Sequence, residues 1–105
     1  MDVDKVLLDA GLSKSEVKVY MALLRNGESL AGKISRISGI HRRNVYDITE
    51  RLIQKGAIGY IIKNNRRFFE AVDPGRFLEV LKRREMELAE SMPALQEIYL
   101  SKKEK

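Results

Sequence analysis

The spacing of apolar residues changes at Gly56, and this change constrains the fold more than any other feature of the sequence. Before Gly56, inward-facing residues recur every three or four positions, which predicts a helix over residues 41–55. These residues are Val45, Ile48, Thr49 and Leu52. After Gly56, apolar residues occupy every second position, which predicts a strand over 57–63. The alternating residues are Ile58, Tyr60 and Ile62. The fold must therefore join helices to at least one pair of strands.

Two adjacent asparagines, Asn64 and Asn65, follow this strand and indicate a tight turn. Asparagine tolerates the positive φ that two-residue hairpin turns require. A second strand is predicted over 66–72, and the two strands form a β-hairpin. The alternating positions of the second strand are Phe68, Glu70 and Val72, and one of the pair Phe68 and Phe69 is expected in the core. The tip of the hairpin carries Lys63, Arg66 and Arg67.

Three shorter helices are predicted before residue 41. The first ends at Gly11, and the second, over 14–25, opens with a Ser13–Glu16 capping box. The inward face of the second helix is predicted to hold Val17, Tyr20, Met21 and Leu24. The third helix covers 30–38, with Ser29 as its cap. Its buried residues are predicted to be Ala31, Ile34 and Ile37. A turn at Gly39 joins it to the 41–55 helix, which is a helix-turn-helix arrangement.

A long helix is predicted to follow the hairpin, with Asp73 as N-cap and Pro74 at its first position. Its apolar stripe is expected to form a dimer interface. The stripe consists of Phe77, Leu78, Leu81, Leu88, Met92, Leu95 and Tyr99. The alternative is that the stripe packs on the body of its own domain. Pro93 removes a backbone hydrogen bond and is expected to kink or split the helix, with Ser91 capping a second piece.

These elements predict a mainly α fold with one β-hairpin. The order of elements is that of a winged helix-turn-helix domain over residues 1–73. A C-terminal dimerisation helix over 74–105, kinked near Pro93, is expected to follow it.

The positive charge is concentrated in the middle of the chain. The protein has 20 lysines and arginines against 15 acidic residues, a net charge of +5. Residues 28–67 hold nine basic and three acidic residues, whereas residues 1–27 are neutral and residues 68–105 carry a net charge of −1. A strip of this kind predicts a polyanionic partner, and nucleic acid is the leading candidate.

The 41–55 helix is the predicted reader of double-stranded DNA, because a helix fits the major groove with its N-terminal residues near base edges. Arg43 and Asn44 are therefore the predicted base contacts. Arginine can pair with guanine and asparagine with adenine, each worth about 1–3 kcal/mol of discrimination. The predicted backbone contacts lie on both sides of them: Lys33, Arg36, Arg42, Tyr46, Lys63, Arg66 and Arg67.

Several residues of this helix leave two interpretations open. Tyr46 either contacts a phosphate or packs against the hairpin. Asp47 and Glu50 either orient arginines or meet cytosine N4. The basic residues form either a nucleic-acid surface or an ordinary solvated face. His41 is expected to cap or pack at the helix start.

Three segments of the chain resemble the N-terminal DNA-binding domain of the TrmB family, which are mostly archaeal transcriptional regulators. The segments are LSKSEVKVYMALLRNG, AGKISRISGIHRRNVYDITERLIQKGAI and RRFFEAVDP. The most diagnostic stretch is Ile40-x-Arg42-x-x-Val45-Tyr46-Asp47, followed by Leu52-x-x-Lys55-Gly56. The resemblance implies a dimerising DNA-binding regulator with the 41–55 helix as recognition helix. Family members typically carry a C-terminal effector-binding domain, often for sugars. Here a single predicted helix follows the hairpin, so no small-molecule effector is expected on this chain.

Composition argues against other classes of protein. The chain has no cysteine and one histidine, which argues against a zinc finger, a metal site or a Ser-His-Asp triad. No enzyme activity, cofactor or metal is therefore expected. No apolar stretch approaches the roughly 20 residues of a membrane span, and a cytoplasmic protein is expected.

The sequence thus predicts a sequence-specific, double-stranded DNA-binding transcriptional regulator that acts as a homodimer on a palindromic operator. Two alternatives stay open at this point. One is a winged helix used as a protein-interaction or assembly module. The other is an RNA-binding module that uses the same basic face.

Overall fold

The computed structural model describes residues 1–103. The elements in chain order are α1 (Val3–Asp9), α2 (Lys14–Asn26), α3 (Ala31–Ser38), α4 (Arg42–Gln54), β1 (Ile58–Lys63), β2 (Arg66–Ala71) and α5 (Pro74–Lys103). Within that range, the strands form one two-stranded antiparallel sheet. The predicted class, mainly helical with a β-hairpin, is confirmed.

The chain divides into two compact units, Met1–Pro74 and a second unit that starts at Gly75. The first unit contains α1 to α4 and the hairpin, and the second contains α5. The sequence placed this boundary after residue 73. Residues 104 and 105 of the predicted C-terminal segment lie outside the described residues.

The start of α2 is fixed by the predicted capping box. The Ser13 hydroxyl accepts from the Glu16 amide at 3.2 Å, and the Glu16 carboxylate accepts from the Ser13 amide at 2.7 Å. From this start α2 crosses the core of the first unit, where Val19 and Leu23 are fully buried. The prediction that Leu24 faces inward is wrong, since this side chain is exposed in the last turn, at the edge of the buried face.

The α3 helix differs from its prediction at its start and on one side. Its N-cap is Leu30, without a side-chain hydrogen bond, so Ser29 is not the cap. Ser29 instead forms a β-bridge to β2. Ala31 and Ile34 are buried as predicted, but Ile37 is exposed. At 100° per residue, Ile37 lies about 90° from the mean direction of those two side chains.

The hairpin turns at the two asparagines as predicted, with φ of 51° at Asn64 and 61° at Asn65. The register pairs Tyr60 with Phe69 and Ile58 with Ala71. Positions 58, 60 and 62 therefore share a face with 67, 69 and 71. Phe69 is the buried phenylalanine, whereas Phe68 lies on the opposite face and is half-buried. The expectation that one of the two phenylalanines belongs to the core is confirmed.

The α5 helix runs without a break through Pro93, so the prediction of a split helix is wrong. Ser91 does not cap a second piece, because its hydroxyl donates to the Glu87 carbonyl one turn earlier at 2.9 Å. A kink at the proline stays a prediction. Most of the predicted stripe is exposed: Leu78, Leu88, Met92, Leu95 and Tyr99. Leu81 is half-buried. Phe77 is 5% exposed within the single chain. The dimer interface itself stays a prediction.

Candidate nucleic-acid interface

The α4 helix presents one face to the core and the opposite face to solvent. All four predicted inward residues, Val45, Ile48, Thr49 and Leu52, are buried. The opposite residues are exposed: Arg43, Tyr46, Asp47, Glu50 and Gln54. His41 is the N-cap, and its Nδ1 accepts from the Arg43 amide at 3.2 Å, which confirms the expected capping role. The first turn of α4 therefore holds Arg43 and Asn44 at the surface, where both side chains are accessible.

Two open grooves lie beside α4, and basic side chains line both. The first, called the wing groove, runs between the start of α3, α4 and the hairpin and has a volume of about 520 Å³. It is lined by Leu30, Ala31, Arg42, Tyr46, Arg66, Arg67 and Phe69. The second, called the α3 groove, has a volume of about 750 Å³ and brings Lys33 and Arg36 to the same Arg42 and Arg66. Arg42 and Arg66 thus line both grooves and join them into one basic surface.

The structure brings together most, but not all, of the predicted backbone contacts. Lys33, Arg36, Arg42, Tyr46, Arg66 and Arg67 line the two grooves. Lys63 lines neither groove. Its ammonium donates to the carboxylate of Glu28 and lies 5.3 Å from the ring centroid of Phe68. The charge of Lys63 is therefore partly neutralised within the protein.

One groove arginine is held by an aromatic ring. The guanidinium carbon of Arg67 lies 4.4 Å from the ring centroid of Tyr60. Tyr60 did not stand out in the sequence as a functional residue. The signal was nevertheless present, because a two-residue turn at the asparagines sets the register and places residues 60 and 67 on one face as a diagonal pair.

Two basic residues of α4 and its end face away from the grooves. Arg51 Nε and Lys55 Nζ donate to the two carboxylate oxygens of Glu16, at 3.2 and 2.6 Å. Lys55 also donates to the Gly11 carbonyl at 3.0 Å, and Arg51 pairs with Asp47. Asp47 thus orients an arginine, which is one of the two roles that the sequence left open for it. That arginine donates to the buried Glu16 and does not line the grooves.

Glu16 is a buried carboxylate with strong partners. Burial alone raises its pKa, but the hydrogen bonds from Lys55, the Ser13 amide and Arg51, with the charge of Lys55, outweigh burial and lower the pKa below its usual value. The hydrogen bond that Arg51 donates to Glu16, together with the charge of Asp47, outweighs desolvation and raises the pKa of Arg51 above its usual value. The sequence gives no local signal for these ion pairs, since Arg51 and Lys55 lie 35 and 39 positions from Glu16 in the chain.

The remaining cations of the basic strip leave a concentrated positive surface. They are Lys33, Arg36, Arg42, Arg43, Arg66 and Arg67, and none forms an ion pair within residues 1–103. Because six like charges share the grooves and the exposed start of α4, this surface favours a polyanion that spans all of them.

The described residues contain no cluster of three or more metal-ligating His, Cys, Asp or Glu side chains. A helix long and apolar enough to cross a membrane is also missing from them.

A helix-turn-helix followed by a basic hairpin is a winged-helix DNA-binding fold. Residues 7–75 match the family model described as sugar-specific transcriptional regulator TrmB. The chain therefore belongs to the TrmB family of transcriptional regulators, and the family resemblance of the sequence is confirmed.

A curated relative is the HTH-type sugar sensing transcriptional regulator TrmBL1 of Pyrococcus furiosus. The two chains are 32% identical over 90 residues. The match covers 85% of this chain but 26% of that relative, so the chain spans about a quarter of the relative's length.

Solved structures share the fold at low sequence identity. The structure of TrmBL2, described as an archaeal chromatin protein with a novel mode of DNA binding, matches with a TM-score of 0.71 at 20% identity, over 86% of this chain and 34% of that one. A possible transcriptional regulator from Methanosarcina mazei Go1 matches with a TM-score of 0.69 at 12% identity, over 94% and 89% of the two chains. A MarR family regulator from Silicibacter pomeroyi matches with a TM-score of 0.60 at 14% identity, over 95% and 63%.

Proposed function

We propose that this protein is a sequence-specific regulator that binds double-stranded DNA through α4 and the two basic grooves. The single observation that carries the proposal is the joining of both grooves by Arg42 and Arg66, next to the exposed first turn of α4. This arrangement suits a duplex, because the major groove admits the helix while the phosphate backbones on either side meet the basic grooves.

Each predicted contact has a role in this proposal. Arg43 and Asn44 read base edges in the major groove, since they are exposed in the first turn of α4. The side chains that line the grooves contact phosphates: Lys33, Arg36, Arg42, Tyr46, Arg66 and Arg67. Lys63 stays a DNA backbone contact in the proposal. There the phosphate must compete with the carboxylate of Glu28 for the Lys63 ammonium.

The relatives support the same assignment. TrmBL2 is described as binding DNA, and TrmBL1 as a sugar sensing transcriptional regulator. We transfer DNA binding to this chain, because its cationic surface lies on the shared winged helix. DNA binding in this proposal needs no small-molecule effector.

The proposal predicts different effects for two arginine substitutions. Arg43→Ala is expected to relax sequence preference by removing a base contact, at a cost of about 1–3 kcal/mol for the preferred duplex. Arg66→Ala should weaken binding to all duplexes alike and reduce the slope of log K against log salt by about 0.9, because one phosphate contact is lost. Fluorescence anisotropy with preferred and scrambled duplexes at several salt concentrations measures both effects.

Three results would contradict the proposal. They are salt-independent binding by the wild type, equal loss of specificity from both substitutions, and competition by structured RNA as strong as that by duplex DNA. The last result would favour the RNA-binding alternative.

We further infer that the protein acts as a homodimer on a palindromic operator. The exposed apolar stripe of α5 supports this, because Leu88, Met92 and Leu95 repeat at the spacing of a helix-pair interface. Two-fold symmetry would place two recognition helices in major grooves about 34 Å apart. Selection of bound duplexes from a random pool is expected to return inverted half-sites with this spacing. A single asymmetric half-site would contradict the symmetric operator.

A further inference from the structure

A chain of ring contacts runs along the inner face of the hairpin, from the core to the wing groove. Phe69 is 2% exposed, and its backbone forms both hydrogen bonds of the bridge to Ser29, at 2.8 and 2.9 Å. Tyr60 packs edge-on against Phe69, with ring centroids 6.1 Å apart and an interplanar angle of 61°. Arg67 then lies over the face of the Tyr60 ring. The guanidinium is thus connected to the core through two aromatic rings.

Arg67 differs in this respect from the other groove arginines. Arg42 and Arg66 line the same wing groove, but within residues 1–103 neither is held by an aromatic ring or an ion pair. An arginine side chain normally loses much rotamer freedom when it binds a phosphate. A guanidinium already positioned in the groove loses less, and preorganisation of this kind increases affinity.

We propose that Tyr60 is a positioning residue that holds Arg67 in the wing groove for a DNA phosphate. This inference rests on the proposed function, because the phosphate belongs to the bound duplex. The face of an aromatic ring attracts a cation through its quadrupole, and phenylalanine shares this property while leucine does not. Tyr60 touches no DNA in this proposal and acts only through Arg67.

The test is a double-mutant cycle on duplex binding. Tyr60→Leu should lower affinity about two- to fivefold, the strength of an exposed cation–π pair. Tyr60→Phe should bind within about 1.5-fold of the wild type, because the ring is retained. In an Arg67→Ala background, Tyr60→Leu should have no further effect, since the side chain that it positions is gone.

A second measurement needs no DNA. In the free protein, the Tyr60 ring current should shift the Arg67 δ-methylene protons upfield in NMR spectra of the wild type and Tyr60→Phe. The shift should be lost in Tyr60→Leu. Ile61→Ala is the matched control, because the next residue lies on the opposite face of the hairpin, and its variant should keep both the shift and wild-type DNA affinity.

The outcomes separate the inference from the proposed function. Suppose that the wild type binds duplex DNA and that Tyr60→Leu lowers the affinity equally in the wild-type and Arg67→Ala backgrounds. This result would show that Tyr60 only stabilises the hairpin, and it would overturn the positioning role alone. Absence of the Arg67 shift in the free protein would overturn it as well. A wild type with the shift but without duplex binding would overturn the proposed function and, with it, the phosphate role of Arg67.

Discussion

At Glu16, one carboxylate accepts hydrogen bonds from three donors that belong to two separate parts of the chain. Ser13 lies at the start of α2, while Arg51 and Lys55 lie at the end of α4. The two cations stay partly exposed, whereas Glu16 is 1% exposed. The cations therefore keep some hydration while the buried carboxylate has all of its bonds satisfied, which is the favourable case for a buried ion pair. The cluster fixes the end of α4 against the start of α2.

This cluster predicts a loss of stability in acid. The pKa of Glu16 is lowered on folding, so its contribution to the free energy of unfolding is present above the unfolded pKa near 4.5 and disappears as pH falls through the lower folded pKa. Glu16→Gln should cost about 1–3 kcal/mol near pH 7, since it removes charge-assisted bonds. The difference between the variant and the wild type should shrink as the pH falls below 4.5. Urea unfolding between pH 7 and pH 3 measures it.

An exposed carboxylate on α4 is the matched control. Glu50→Gln should leave the free energy of unfolding within about 0.5 kcal/mol of the wild type, as is usual for surface substitutions. The electrostatic explanation would be contradicted if the difference in free energy of unfolding between Glu16→Gln and the wild type did not change with pH. The Glu16 side chain would then act through packing and hydrogen bonding alone.

At the scale of elements, the hairpin is attached to the body at its base and near its tip. Toward the base, the bridge between Ser29 and Phe69 attaches β2 to the segment before α3. A bond from the Val72 amide to the Ala57 carbonyl at 2.9 Å closes the base of the hairpin itself. Near the tip, Lys63 pairs with Glu28, which precedes α3. The ion pair restrains the hairpin. It also engages the Lys63 ammonium, which would otherwise be available to a phosphate.

Removal of the acidic partner is predicted to strengthen DNA binding. Glu28→Gln should raise affinity for any duplex about two- to fivefold and steepen the salt slope by up to about 0.9, because Lys63 becomes free to neutralise one phosphate. Anisotropy titrations over a range of salt concentrations measure both quantities. In a Lys63→Met background, the same substitution should leave the salt slope unchanged. If Glu28→Gln instead lowers the affinity for DNA, the ion pair holds the hairpin in the position that binds DNA.

The elements that could be predicted from the sequence are those with strong local signals. The α4 helix has a complete inward face and a capped start, and the hairpin turn has two residues that tolerate positive φ. In each case local preference and packing agree, so periodicity together with cap and turn residues is sufficient to predict the element. The family resemblance added the assignment of α4 as the recognition helix.

The predictions from the sequence fail where tertiary packing, and not local sequence, decides which side chains are buried or paired. Ile37 is apolar but lies beside the buried face of α3, and the inward face of β2 follows from its register with β1. Glu16 pairs with residues more than 30 positions away, which no local pattern records. Pro93 is predicted to kink or split α5, and the helix continues through it without a split. The basic residues predicted for DNA were mostly placed correctly at the surface, because exposure follows from helical phase, whereas the Lys63 pair depends on the docking of the hairpin.

At the scale of the whole molecule, the net charge of +5 comes from cations of two kinds. Some form ion pairs within the protein, and others stay available at the surface. Of the nine cations in residues 28–67, Arg51, Lys55 and Lys63 are engaged in ion pairs. The other six face the grooves or the start of α4. A single copy thus offers one basic surface beside α4, and in the proposed dimer a second copy would double the number of phosphate contacts through multivalency.

The proposed dimer predicts opposite results for two substitutions on α5. Leu88 and Met86 are similarly exposed, at 57% and 63%, but about 160° apart around the helix, at 100° per residue. Leu88→Glu places a charge in the apolar stripe and should convert a micromolar dimer into a monomer, as measured by light scattering. Met86→Glu adds the same charge outside the stripe and should leave the dimer intact.

The same pair of variants tests whether the dimer is the DNA-binding species. Leu88→Glu should lose most of the preference for a two-half-site duplex over a single half-site, since that preference comes from linking two binding events. Its affinity for the single half-site should remain close to that of Met86→Glu, because both variants carry the same added charge. A monomeric wild type, or equal behaviour of the two variants, would remove the stripe as a dimer interface, and the operator would then be read by one copy at a time.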